Sequence, residues 1–106
     1  MKIINDEQLN ESIKSGDKTL VLFSADWCGP CKIIKPALEK IEKELGETLK
    51  IVKADISEAE LGAKKFNIRN IPTCVLIEGE NEIARFSGVK NDEQIKKFLG
   101  DYFILN

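Results

Sequence analysis

The sequence predicts an α/β protein: a central mixed β-sheet flanked by helices on both faces, its elements ordered β-α-β-α-β-α-β-β-α. Three observations carry this reading. Strand-like runs, TLVLFS, KIVKAD and TCVLIE, alternate with stretches whose apolar residues recur three and four apart. Such alternation specifies parallel strands joined by helical crossovers. It breaks once, where TCVLIE is followed beyond Gly79 by a second extended run, as in an antiparallel hairpin. No stretch reads as a linker or low-complexity tract, so residues 1–106 are expected to form a single domain.

Lys2–Asn5 reads as a short strand. The segment NDEQ starting at Asn5 opens a helix: Asn5 is a good N-cap, Gln8 follows three residues later, and Leu9 and Ile13 fall four apart. Thr19–Ser24 is unbroken in apolar character, as in a strand buried on both faces. From Cys31 onward, Ile34, Leu38, Ile41 and Leu45 mark one helical face, and Gly46 suits its end. Pro36 lies inside this pattern and removes one backbone hydrogen bond near the first turns. Lys50–Asp55 is the next strand. Ala59, Gly62, Ala63 and Phe66 give a short helix with small residues on its packing face. Thr73–Glu78 and Asn81–Ser87 form the hairpin. A second NDEQ at Asn91–Gln94 opens the closing helix, marked by Ile95, Phe98, Leu99 and Tyr102.

Composition narrows the function classes. Sixteen basic and eighteen acidic residues leave a net charge of −2, without the basic excess or stripe of a nucleic-acid binder. No apolar run approaches a membrane span, and the start MKIINDEQLN has no long apolar stretch, so a cytoplasmic protein is expected. Histidine is absent, which removes Ser-His-Asp and Cys-His nucleophilic schemes.

The chemistry concentrates in SADWCGPCKIIKP, where two of the three cysteines, Cys28 and Cys31, flank Gly29-Pro30. Cys28 at a helix N-terminus faces unpaired backbone N–H groups and the positive end of the dipole, which favour a thiolate. The helix-initiating turn brings Cys31 within bonding range. Gly29 permits that turn, Pro30 suits the first helical positions, and Lys32 and Lys35 add positive charge. A structural zinc site normally takes four Cys or His ligands, more than this chain offers, so no metal is expected. The preferred reading is a reversible dithiol: Cys28 attacks a partner disulfide and Cys31 resolves the mixed disulfide.

The run Trp27-Cys28-Gly29-Pro30-Cys31-Lys32 resembles the active-site signature of the thioredoxin family. The similarity extends through Pro36, Lys53-Ala54-Asp55, Phe66-Asn67-Ile68-Arg69-Asn70-Ile71-Pro72-Thr73 and Gly88, almost the whole chain. It implies the thioredoxin fold and a protein-disulfide reductase with Cys28 as nucleophile and Cys31 as the more buried resolving thiol. It also implies a cis Ile71–Pro72 bond facing the sulfurs. Trp27, Gly29, Pro30, Ile71, Pro72, Gly88 and Val89 would then form an apolar substrate-binding patch. No prosthetic group is implied. Electrons would come from a separate thioredoxin reductase, NADPH- or ferredoxin-linked, and pass to cytosolic protein disulfides, the chain acting as a monomer with no nucleic-acid or membrane partner.

One departure matters. The family usually carries a buried aspartate on the strand before the nucleophile, paired with the lysine matching Lys53, to take the proton from the resolving cysteine. Leu22 stands there instead. Either Cys31 is therefore expected to lose its proton through water or a nearby surface carboxylate such as Asp26, or the chain is slower or specialised; Lys53 is expected to extend toward solvent along its stem. Ser24 and Ser87 also replace larger apolar residues. Cys74, on an apolar strand, is expected to be a small core residue. Two competing readings are a thiol oxidant or isomerase on the same fold, and a scaffold module. The Gly29-Pro30 pair argues against the first, and retention of both cysteines against the second.

Overall fold

The computed structural model describes residues 1–102; the last four residues of the expected domain lie outside the described residues. The elements follow the predicted order: β1 (Lys2–Ile4), α1 (Asp6–Ser15), β2 (Lys18–Ser24), α2 (Gly29–Leu45), β3 (Lys50–Asp55), α3 (Glu60–Lys65), β4 (Thr73–Glu78), β5 (Asn81–Ser87) and α4 (Asp92–Gly100). The five strands form one mixed sheet in the order β1-β3-β2-β4-β5. β3 runs parallel to β1 and β2, whereas β4 is antiparallel to β2 and β5.

Helices cover both faces. Ile34, Leu38, Ile41 and Leu45 of α2 pack with Ile95 and Leu99 of α4 against Leu20, Leu22, Cys74 and Leu76. On the other face, Leu9 and Ile13 of α1 and Phe66 beyond α3 cover Val21, Phe23, Val52 and Val75. β2 is buried along nearly its whole length because both faces are covered.

The helix boundaries follow from capping chemistry. Asn5 and Asn91 each close a reciprocal capping box with Gln8 and Gln94, which explains why NDEQ occurs twice without a repeat around it. Because Asn5 serves as a cap, β1 ends one residue earlier than the expected strand. Gly46 ends α2 in a right-handed conformation, not the left-handed one that usually recruits glycine there. A Cβ at that position would stand 2.7 Å from the Glu42 carbonyl oxygen, so close approach is the reason for glycine. Tyr102 lies in the turn beyond α4 and packs at a tilt against Phe98, with ring centroids 5.4 Å apart.

The N-cap of α3 is Ala59, which makes no side-chain capping hydrogen bond. Asp6 of α1 supplies the missing acceptor: its carboxylate receives the Gly62 N–H at 2.7 Å and the Leu61 N–H at 3.1 Å. Gly62 packs so closely on Leu9 that an added Cβ would collide with it. Asp6→Ala removes a cap and a tie between two helices, and is expected to lower stability by about 1–2 kcal/mol. Urea unfolding of the disulfide form checks this, and an unchanged midpoint would show that solvent replaces the carboxylate without loss.

Candidate active site

Cys28 and Cys31 sit where β2 gives way to α2. After Ser24 the chain turns tightly, the Cys28 N–H donating to the Ala25 carbonyl at 3.1 Å, and Cys28 becomes the N-cap of α2. An N-cap residue normally offers a side-chain oxygen to a first-turn amide. Here Cys28 Sγ takes that place and accepts the Cys31 N–H at 3.2 Å. The sulfur also lies at the positive end of a 17-residue helix whose first turn contains no acidic residue. Both features lower the cost of a thiolate. Gly29 and Pro30 fill the first helical positions and are exposed, as is Lys32.

The two sulfurs form a disulfide, with Cα atoms 5.3 Å apart. Exposure does not separate the two cysteines, at 5% and 4%. Their positions do. Cys28 is the cap, while Cys31 lies within the helix and lines a surface cavity of about 440 Å³ shared with Asp26, Lys35, Glu39 and Lys53. Ala25, Ile56 and Ile71 pack around the pair as a small apolar collar.

The Ile71–Pro72 peptide is cis. The Pro72 carbonyl accepts the Gly88 N–H at 2.9 Å, and Gly88 turns there with φ +85°, a conformation open to glycine. The Thr73 hydroxyl donates to the Asn70 carbonyl at 2.7 Å and lies 2.9 Å from Ser87 Oγ, so Ser87 braces this loop from β5. Trp27 is 77% exposed, which excludes a core role. It lines a groove of about 330 Å³ with Ile56, Ala63, Ile68, Arg69, Asn70 and Ile71. Val89 is also exposed. Sequence reasoning did not pick out Ile56 or Ile68 for the site. Neither stands near the cysteines in the chain: the β2–β3 ladder brings Ile56 there, its N–H donating to the Ser24 carbonyl at 2.9 Å, and Ile68 arrives on the segment that follows α3.

Leu22 is fully buried, facing Lys53 across the β2–β3 ladder and Cys74 across the β2–β4 ladder. Lys53 is half-buried, and its side chain helps line the surface cavity. The Asp55 carboxyl is held below its usual range, chiefly by the Ser57 hydroxyl and backbone N–H, with a smaller contribution from the Lys53 charge. Ser24, in register with Asp55, is fully buried, and its hydroxyl has no hydrogen-bond partner among the described residues. Cys74 is a free thiol buried in the α2-facing core, where burial pushes its pKa up to about 12. It is therefore a packing residue and a poor nucleophile. Among the described residues no group of three or more His, Cys, Asp or Glu could hold a metal ion. No helix among them is long and apolar enough to cross a membrane.

Comparison with known proteins agrees with this geometry. The family model described as Thioredoxin matches residues 1–101. Thioredoxin from Chlamydia trachomatis serovar D is 32% identical over 102 residues, covering 96% of this chain and 98% of that protein. Thioredoxin H2 of Arabidopsis thaliana is 43% identical over 86 residues, 80% of this chain, and the match spans 64% of the plant protein. The X-ray structure of Fasciola hepatica thioredoxin superposes with a TM-score of 0.85 at 31% identity, covering 97% of this chain and all of that one (100%). A redox pair capping a helix, set in this sheet and matched along almost its whole length, leaves one assignment: the chain belongs to the thioredoxin family of disulfide oxidoreductases.

Proposed function

We propose that the protein reduces disulfides in other proteins, with Cys28 as the attacking thiolate and Cys31 as the resolving thiol. The observation that carries this is the Cys31 N–H aimed at Cys28 Sγ from the first turn of α2. A donor there stabilises negative charge on Cys28 and leaves Cys31 one turn behind it, within bonding reach. Trp27, Gly29, Pro30, Ile71, Pro72, Gly88 and Val89 would receive the partner's extended segment around Cys28, its backbone pairing along Ile71. The oxidised pair is returned to the dithiol by a separate thioredoxin reductase, NADPH- or ferredoxin-linked, with no bound cofactor. The protein works as a monomeric electron carrier in the cytoplasm, where partner thiols are held reduced.

Single-turnover reduction of a model protein disulfide by the pre-reduced chain tests the reading. One partner disulfide is expected to open per molecule, leaving Cys28 and Cys31 bridged and Cys74 as the only alkylatable thiol after denaturation. No reaction at all would overturn the reductase and favour a scaffold role.

A further inference from the structure

Resolution of the mixed disulfide requires Cys31 as a thiolate, so its proton must go somewhere. Of the sheet residues around it, Leu22 is apolar and Cys74 holds its own proton tightly. The opening at Cys31 is the surface cavity of about 440 Å³, roomy and polar enough to hold water. Two carboxylates line it. Glu39 lies two turns farther along α2, about 12 Å from Cys31 along the axis. Asp26 stands in the tight turn that delivers Cys28 to the helix N-terminus, close to the redox pair and exposed to solvent. Asp55, at the end of β3, does not line the cavity; its Oδ1 is engaged by the Ser57 N–H at 2.8 Å and hydroxyl at 2.6 Å, and its carboxyl also meets the Asp26 side chain, which links it to the cavity only through Asp26.

The geometry points to Asp26 as the acceptor of the Cys31 proton, reached through water in the cavity they share. This rests on the reductase reading above. The proton passes from Cys31 Sγ through water to the Asp26 carboxylate and then to solvent. The Cys31 thiolate attacks Cys28 Sγ, the Cys28–Cys31 bond forms, the Cys28–partner bond breaks, and the partner departs as a thiolate. Lys53, Lys35 and Lys32 face the same space and favour the thiolate, while Glu39 and Asp55 are the other acidic groups beside it. The route replaces a buried base with one at the surface.

The experiment mixes reduced protein with 5,5′-dithiobis(2-nitrobenzoate) in a stopped-flow instrument, where the first chromophore release reports Cys28 attack and the second reports Cys31 resolution. Asp26→Asn is expected to slow the second release about a hundredfold near neutral pH and to leave the first nearly unchanged. The inflection that Asp26 imposes on the second phase's pH profile should vanish in that variant. Asp26→Glu is expected to restore the rate, and Glu39→Gln to match wild type. An unchanged second phase in Asp26→Asn, or equal slowing of both phases, overturns the assignment while leaving the reductase intact. A wild-type protein that shows no second phase overturns the reductase reading itself.

Discussion

Replacing Cys31 by serine is expected to turn the protein into a trap that holds its partner as a long-lived mixed disulfide on Cys28. The features that activate Cys28 survive the change. Its hydrogen bond comes from the backbone N–H of residue 31, and the end of α2 stays where it is. The first exchange should therefore run at close to the wild-type rate. The second cannot, because a serine hydroxyl is not ionised near neutral pH and forms no disulfide. Turnover with a protein disulfide should fall on the order of a thousandfold or more, the scale on which loss of a covalently reacting group is felt. Cys28→Ser should be equally inactive and form no adduct, since Cys31 lines the cavity beside the helix and not the cap position. Intact mass measurement after a brief incubation separates the two: a partner adduct for Cys31→Ser, none for Cys28→Ser. An adduct on Cys28→Ser would reverse the assigned roles.

Much of this architecture was legible in the chain because its signals are local. The face Ile34, Leu38, Ile41 and Leu45 is the buried face of α2, and both NDEQ segments are capping boxes. The hairpin strands begin and end at the residues their apolar patterns indicated. CGPC pointed to its chemistry through two cysteines flanking Gly29 and Pro30, residue types that suit a tight turn into a helix, with too few other ligands for a metal site. What stayed hidden depends on contacts between segments distant in sequence. Asp6 caps α3 across 55 and 56 residues, and no pattern around Ala59 reveals where that helix finds its acceptor. Thr73 and Ser87 meet only because β4 and β5 pair in that register. The cis bond before Pro72 followed from family resemblance and from no feature of the dipeptide itself. The cavity joining Asp26 to Cys31 needed the turn after β2 to be seen in space.

Restoring the carboxylate that the family places on β2 is expected to harm stability more than it helps catalysis. Leu22 is fully buried and packs with Ile34, Leu38 and Cys74, so Leu22→Asp puts a polar group among apolar neighbours. Lys53 stands opposite in the ladder and can offset part of the charge, but in the wild type it reaches the surface cavity and influences Asp55. The variant is expected to lose about 2–4 kcal/mol near neutral pH, a large part of the roughly 5–15 kcal/mol that holds a domain together. The pH dependence identifies the cause. Burial raises the new carboxyl's folded-state pKa above its unfolded value of about 3.9. Between those two values the folded state binds more protons than the unfolded one, so stability falls as pH rises through the window. Below the window the carboxyl is neutral in both states, and the charge-dependent part of the loss disappears. Leu22→Asn has similar shape and no charge, so its loss should not change across that range. Urea unfolding of both variants from pH 4 to pH 8 distinguishes them, and parallel curves would show that Lys53 neutralises the new carboxylate completely. If Asp26 already serves Cys31 through the cavity, the folded Leu22→Asp protein should resolve mixed disulfides no faster than wild type. A marked acceleration would mean that the leucine limits catalysis and that the surface route is the slower one.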